Sequence, residues 1–397
     1  MPRPTPVPPW RLPVILLGAM TVGAYGLVLY GFGAFVAPIR DDTGWSNGAI
    51  SAAFSVATLG GGVLSLTSGR LLDRFGARPV TGGALAIGSA LLLASSTVDT
   101  APAFIVSWGI GGAVIGAGLY YNATMAITAR ITTAEERPAA YTWLTVIGGL
   151  AAPIAFPLAG LFVEAWGWRV AVRAMVGVMI AFCLPAVVAV RGENGGGGAD
   201  GTSDDGFSSI SDALRSRHVL RWLLAAAAAL SGLVAVQVHH VAAIEATGVT
   251  VGTASAMAGI RGLLSLPGRA GASALTSRFG VVNSLRLMYL VMAAGTLSLV
   301  VAGPVGWVWG FVVLTGVTFG SIAPLQGLYA ADLYGRRRIG TLMGMQQVVF
   351  GTASAAGPFV LGLAVDLTGG YDVLLVAAAA LQIGALAAFS ERVSRPG

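Results

Sequence analysis

Apolar runs follow one another along almost the whole of this chain, and that succession constrains its fold more than any single residue does. A helix needs about 20 predominantly apolar residues to cross the hydrocarbon of a bilayer. Runs of that kind fall at roughly 12–38, 47–69, 79–97, 102–129, 139–163, 168–190, 218–244, 250–275, 284–302, 305–331, 340–365 and 372–390. With short connectors they account for the chain and leave no room for a separate soluble domain. Only 10% of the 397 residues are charged, against about 25% in an ordinary soluble domain, so lipid must cover surface that water would not. The expected fold class is an all-α membrane protein of twelve transmembrane helices. The first run follows the Pro-rich start MPRPTPVPPWR, exceeds the core of a cleaved signal peptide, and reads as a retained helix.

One connector differs from the rest. Residues 191–217, RGENGGGGADGTSDDGFSSISDALRSR, are rich in Gly, Ser and Asp and cannot build a core. The organisation expected is a six-helix half at 1–190, a flexible cytoplasmic linker at 191–217 and a second six-helix half at 218–397. Short sequences recur between the halves. DRFG (73–76) returns as SRFG (277–280), and GLFVEAWG (160–167) returns as GLAVDLTG (362–369), at offsets of 204 and 202 residues. Parallel repeats of this kind build transporters whose substrate site lies at the repeat interface, near the middle of the bilayer. Glu164 and Asp366 occupy matching places in the second pair and read as caps or loop anchors.

All 23 basic residues are arginine. With both termini in the cytoplasm, eighteen of them fall on the cytoplasmic side and only Arg40, Arg169 and Arg173 outside, which is the orientation the positive-inside rule selects. The net charge of +6 therefore belongs to connectors and not to a nucleic-acid surface. The expected location is a plasma membrane of the bacterial inner-membrane kind, with the chain working as a monomer. The lone Cys183 excludes an internal disulfide. No metal-ligand cluster or catalytic triad is visible, and without lysine there is no Walker motif. The Gly-rich LGGG (59–62) and GIGGAVIGAG (109–118) follow no strand and read as helix packing. No cofactor is expected, and neither an enzyme nor an ATP-driven pump fits.

Two arginines remain, Arg261 and Arg269, both inside the eighth run. An arginine at the centre of a membrane helix costs roughly 2.5–3.5 kcal/mol on insertion scales. An anion in a water-filled cavity offsets that, because the guanidinium fork matches a carboxylate with two parallel hydrogen bonds. The two side chains lie about 80° apart around a helix, close enough to face one cavity. A second anion contact and an internal ion pair are both open for Arg261. Pro267, just before Arg269, is a place for the helix to bend and free backbone groups toward the cavity.

GRLLDRFGARPV (69–80), between the second and third runs, carries Gly69, Asp73, Arg74, Gly76 and Arg78 in the spacing Gly-x-x-x-Asp-Arg-x-Gly-x-Arg. Glycines permit close helix approach and a tight turn, and an acid at a membrane face can pair with an arginine or a helix N-terminus. This is the signature of the major facilitator superfamily, and the chain resembles that family. Within it, GFGAF (31–35), GWSNGAISAAFS (44–55), GLYY (118–121) with Arg130, GWR (167–169), VHHVAAIEATGV (238–249), PGRAGASALTSRFG (267–280) and GPFVLGLAVDLTGGYD (357–372) resemble the monocarboxylate transporters and oxalate/formate antiporters. The resemblance implies alternating access between two halves and a small carboxylate as substrate, with Arg269 binding its carboxylate. It implies a gating role for Gly69, Asp73, Arg74, Gly76 and Arg78. Tyr121 matches a tyrosine of the family's fourth span, and with Asn122 it offers hydrogen bonds to the anion. Tyr30 stands where animal monocarboxylate transporters carry a lysine, and Ser265 where they carry an aspartate. Both absences weigh against simple proton coupling and leave anion exchange beside it. The family often has a His near position 240, so His240, with Glu245, is a candidate proton site. A drug or neutral-metabolite exporter and a non-transporting membrane receptor are the alternatives.

Overall fold

The computed structural model describes residues 9–133, 135–190, 217–301 and 305–388, without the side chains of Leu66, Arg70, Asp73 and 330–348, among others. Nearly all of the 191–217 connector therefore lies outside the described residues. Every regular element among the described residues is helical. α1 (Arg11–Tyr25), a π-helical turn (Gly26–Gly31) and α2 (Phe32–Thr43) form the first crossing. α3 (Asn47–Phe75) and α4 (Ala77–Ser95) follow, then α5 (Ala101–Leu119), α6 (Tyr121–Ile131), α7 (Arg137–Gly148) and α8 (Ala151–Ala189). α9 (Arg217–Glu245), α10 (Val251–Val300), α11 (Val305–Thr368) and α12 (Asp372–Gly384) complete the bundle.

Eight described segments are long and apolar enough to cross a membrane, and 306–322 and 372–384 are shorter apolar helices. Some segments hold more than one crossing. α8 leaves helical geometry at Gly167 (φ 73°), α10 at Gly280 (φ 74°), and α11 runs for 64 residues. Leu12, Leu161, Leu184, Leu224 and Val360 are exposed around the bundle, as a lipid-facing surface requires.

The repeats seen in the sequence reappear in the backbone. Among the described residues, the glycines with positive φ are Gly44, Gly76, Gly167, Gly248, Gly280 and Gly369. They pair as 44 with 248, 76 with 280, and 167 with 369, at offsets of 204, 204 and 202 residues. Each ends a crossing where a side chain with a Cβ would be strained. The caps pair too. Ser46 Oγ accepts from the Ala49 amide at the start of α3, and Thr250 Oγ1 accepts from Thr253 at the start of α10, each worth about 1 kcal/mol.

Small residues set the helix spacing, as expected where lipid tails are as apolar as leucine. Gly109, Gly112 and Gly116 of α5 lie against Val56, Ala57 and Gly61 of α3, which settles the Gly-rich runs as packing surfaces. Gly316 and Gly320 of α11 rest on the backbone of Arg261 and Ser265 in α10. Any side chain at Gly320 would occupy the space of the Ser265 carbonyl. Gly320→Leu is therefore expected to abolish the monodisperse peak on size exclusion in detergent. Gly351→Leu, at a position open to its surroundings, is expected to preserve it.

Candidate functional site

Three crossings of the first half lose regular helix in segments that meet. The π-turn Gly26–Gly31 widens the first crossing between Tyr25 and Tyr30, and such turns recur at functional sites. The fourth crossing breaks at Tyr120, whose backbone is extended (φ −80°, ψ −179°), so α6 begins afresh at Tyr121. The fifth breaks at Gly149 and Leu150 between α7 and α8. The apolar runs at 102–129 and 139–163 fall within segments apolar enough to cross a membrane, and each contains one of these breaks. Tyr25 stacks on Tyr120 at 3.9 Å between ring centroids and lies 5.4 Å from Tyr121 and 6.5 Å from Tyr30. Discontinuous helices at a cavity free backbone groups for a ligand.

The second half faces these tyrosines with both arginines of α10. Arg261 is only 3% exposed. Its Nε donates to Thr315 Oγ1 at 2.7 Å and its Nη1 to Gln237 Oε1 at 2.7 Å. Its guanidinium carbon lies 5.6 Å from the Phe311 centroid and 5.3 Å from that of Phe319. Among the described residues no carboxylate comes within salt-bridge distance of it, so the internal ion pair is not formed. Of five N–H groups, two are used inside the protein. Gln237 Nε2 and His240 Nε2, both buried, also lack partners among the described residues. His240 Nδ1 lies 2.9 Å from the Gln237 carbonyl and 3.1 Å from that of Val236. A carbonyl only accepts, so Nδ1 carries the hydrogen and Nε2 of the neutral ring presents a bare lone pair.

Arg269 lies eight residues further on and is exposed. It is within electrostatic reach of the Tyr30 and Tyr121 hydroxyls, and Arg261 is within reach of Tyr30. Both arginines therefore lie near tyrosines of the first half. Tyr30 and Tyr121 are half-buried and Asn122 is exposed. Tyr121 Oη makes a long bond, 3.4 Å, to the Thr145 carbonyl. Pro267 stands inside α10, and the departure from helical φ/ψ within that helix comes at Gly280.

The halves are tied together toward one face of the bundle. Asp366, at the end of α11, accepts from the Asn47 amide at 2.7 Å, Asn47 Nδ2 at 2.9 Å and the Gly48 amide at 2.8 Å, all at the start of α3. Glu164, its repeat partner in α8, accepts from the Gly252 amide at 2.9 Å, at the start of α10. Each half thus caps a helix of the other with a carboxylate, where the helix dipole favours negative charge. His239 Nε2 lies 3.0 Å from Ser51 Oγ and 3.3 Å from the Pro358 carbonyl, and Arg40 donates to Tyr371 Oη at 3.1 Å. From this face the contacts continue inward through Gly160 on Ser255, Gly259 on Pro157 and Gly149 on Leu266. A cleft of about 750 Å3 remains at the face, lined by Arg40, Asn47, Glu245, Asp366 and Tyr371 among others. Glu245 sits there, while His240 sits beside Arg261, so the two candidate proton sites are not brought together.

At the opposite face, Gly76 makes the sharp turn between α3 and α4 (φ 80°, ψ 170°). Arg74 and Arg78 are exposed, and Arg74 lies over the Phe75 ring at 5.2 Å. Arg130 Nη1 donates to the Leu72 carbonyl at 3.0 Å and closes the end of α3. The gating part read for Asp73 concerns a side chain outside the described residues, as does the packing role of Gly69.

Comparison with known proteins agrees with this architecture. The curated Aspyridones efflux protein apdF of Emericella nidulans is 22% identical over 332 residues, 83% of this chain, and the chain spans 66% of that relative's length. Among solved structures, the nucleoside transporter NupG superposes with a TM-score of 0.77 at 13% identity, covering 96% of this chain and 98% of that one. A bacterial homologue of the human lysosomal transporter Spinster, in an inward-facing and unoccupied conformation, gives 0.72 at 14% identity over 96% and 95%. The D-xylose-proton symporter gives 0.67 at 14% over 96% and 98%. The sequence family described as the Major Facilitator Superfamily matches residues 16–358, and the chain belongs to that superfamily.

Proposed function

We propose that the protein is a secondary carrier of small organic anions, monocarboxylates among them, working by alternating access between residues 1–190 and 218–397. The observation that carries this reading is Arg261, a buried cation with no acid beside it and donors left over among the described residues, on the same helix as a second arginine near Tyr30 and Tyr121. Arg269 meets the anion at the mouth, with Tyr121 and Asn122 near it. Arg261 holds it deeper, and Tyr30 lies between the two. The positive-inside count makes the face carrying Arg74, Arg78 and Arg130 cytoplasmic and the Asp366 face external. Both termini are then cytoplasmic, in a plasma membrane of the bacterial inner-membrane kind. The reciprocal caps close the external side in this conformation, and substrate reaches the arginines from within. One chain contains the whole path, so it works as a monomer. With Ser265 in place of an acid, the lone pair on His240 Nε2 is the proton acceptor nearest Arg261 in a symport cycle; exchange of one anion for another needs no such group. An exporter of drugs or neutral metabolites is the second reading, favoured by the printed function of the apdF relative.

Uptake of labelled lactate, pyruvate, formate and oxalate into proteoliposomes, with and without an imposed pH gradient, tests the proposal. Saturable uptake is expected, with acceleration by an inward proton gradient marking symport and acceleration by internal anion marking exchange. Arg269→Ala is expected to lower it about tenfold or more, the loss of one charge-assisted hydrogen bond at an exposed site. Absence of uptake for every anion would overturn the reading, and full anion uptake by Arg269→Ala would keep the substrate class but take Arg269 out of the site.

A further inference from the structure

Aromatic rings surround the arginines on the side where a ligand must sit. Tyr25, Tyr120 and Tyr121 form one group. Tyr30 connects it to Phe156, at 5.8 Å between centroids, and Phe319 lies against Arg261 from the other half. Phe156 in turn meets the His240 ring edge-on at 5.1 Å. If this were ordinary helix packing, the rings would be fully covered, as Phe32, Phe35 and Phe54 are elsewhere in the bundle. Instead Tyr25, Tyr30, Tyr120, Tyr121 and Phe319 are all half-buried, although they lie well inside their crossings. Among the described residues the Tyr30 hydroxyl has no hydrogen-bond partner. Tyr30 and Tyr121 also lie within electrostatic reach of Arg269.

We infer that the transported anion carries an aromatic ring, with its carboxylate on the unused N–H groups of Arg261 and its ring between the half-buried Tyr30 and Phe319, the covered Phe156 lying behind Tyr30. This rests on the anion-carrier reading and narrows its substrate class. A two- or three-carbon acid satisfies the guanidinium but leaves the ring faces against water. A planar acid covers them in offset or edge-to-face contact, a gain beyond area burial. Several such contacts separate an aromatic from an aliphatic acid by tenfold or more. The Tyr30 hydroxyl and Gln237 Nε2 supply hydrogen bonds for a carboxylate or a ring substituent.

The test is uptake of labelled 4-hydroxybenzoate, benzoate, lactate and oxalate into the same proteoliposomes, with protein-free liposomes giving the diffusional background. Saturable uptake of the aromatic acids at least tenfold faster than lactate is expected. Phe319→Leu and Tyr30→Leu should each narrow that ratio about tenfold, with thermal unfolding in detergent confirming that both variants are folded. Lactate or oxalate carried as fast as 4-hydroxybenzoate would overturn the inference and leave the carrier reading standing. An unchanged ratio in both variants would also overturn it. Uptake of no anion at all would remove the carrier reading itself, and equal uptake of neutral benzyl alcohol would do the same.

Discussion

Arg261→Met is expected to cut anion uptake at least a hundredfold while making the empty protein more stable. The two effects have one cause. Arg261 is buried with no acid among the described residues to balance it. Its two internal hydrogen bonds go to neutral partners, Thr315 and Gln237, so part of the desolvation penalty of the cation stays uncompensated until an anion arrives. Methionine has similar length, makes favourable contacts with aromatic rings, and fits between Phe311 and Phe319 without charge. Removing the cation is expected to raise stability by about 1–4 kcal/mol. Bound substrate loses two charge-assisted hydrogen bonds of roughly 1.5–3 kcal/mol each, and each 1.4 kcal/mol is a factor of ten. Thermal unfolding without ligand and proteoliposome uptake measure the two quantities on one preparation. Arg261→Lys is expected to recover charge but not the planar fork, and to regain only part of the uptake. A Met variant that melts earlier than the parent would show Arg261 to be a structural group, and uptake within threefold of the parent would take it out of the site.

That site was only partly legible in the sequence, for reasons that differ from residue to residue. The crossings and the repeat could be read because both depend on local composition: apolar length for the first, and the turn glycines 76, 167, 280 and 369 for the second. The third pair, Gly44 and Gly248, carries a weaker signal, a shared Thr-Gly in DDTGWS and EATGVT, visible once the 204-residue offset is known. The break at Tyr120 follows Gly116 and Gly118, which read equally well as helix packing; the ring of Tyr25 stacked on Tyr120 from another crossing is not legible in the sequence. The π-turn is likewise a matter of packing, although Gly26 and Gly31 at its ends permit it. Arg261 and Arg269 stood out as charges in an apolar run. Sequence spacing did not say which was buried, nor that the partners of Arg261 would be Gln237 and Thr315, 24 and 54 residues away. Glu164 and Asp366 were legible as caps. That each would cap the opposite half is a property of the assembled bundle.

Asp366→Ala is expected to open the Asp366 face. The carboxylate accepts three hydrogen bonds from the first turn of α3, while Glu164 accepts one from the first turn of α10. These caps cross between the halves, so parting the halves at this face breaks them, whereas the caps made by Ser46 and Thr250 within their own helices survive. Only the crossing caps can therefore bias the conformational equilibrium. Hydrogen bonds to a charged acceptor contribute roughly 1.5–3 kcal/mol when buried. Asp366 is exposed, and solvent screening brings its three bonds together to about 2 kcal/mol, a shift of about 30-fold in the open-to-closed ratio. Glu164→Ala, with one bond, is expected to shift it a few-fold, and the double variant by about the product, since the two caps lie on different helix pairs. Ser255 of α10 is fully buried against Gly160 of α8, one turn in from the Gly252 amide that Glu164 caps. In a Cys183→Ala background, Ser255→Cys then reports opening through its rate of reaction with a membrane-impermeant maleimide. Faster labelling in the order Glu164→Ala, Asp366→Ala, double variant is the expected result. Equal rates in all four proteins would mean that the caps finish their helices without holding the face shut, and that closure comes from the Gly–Ser and Gly–Pro contacts alone. Asp366→Asn separates charge from geometry. It keeps an acceptor for the Asn47 and Gly48 amides but loses the interaction with the helix dipole, so a rate between parent and Asp366→Ala assigns the difference to the charge.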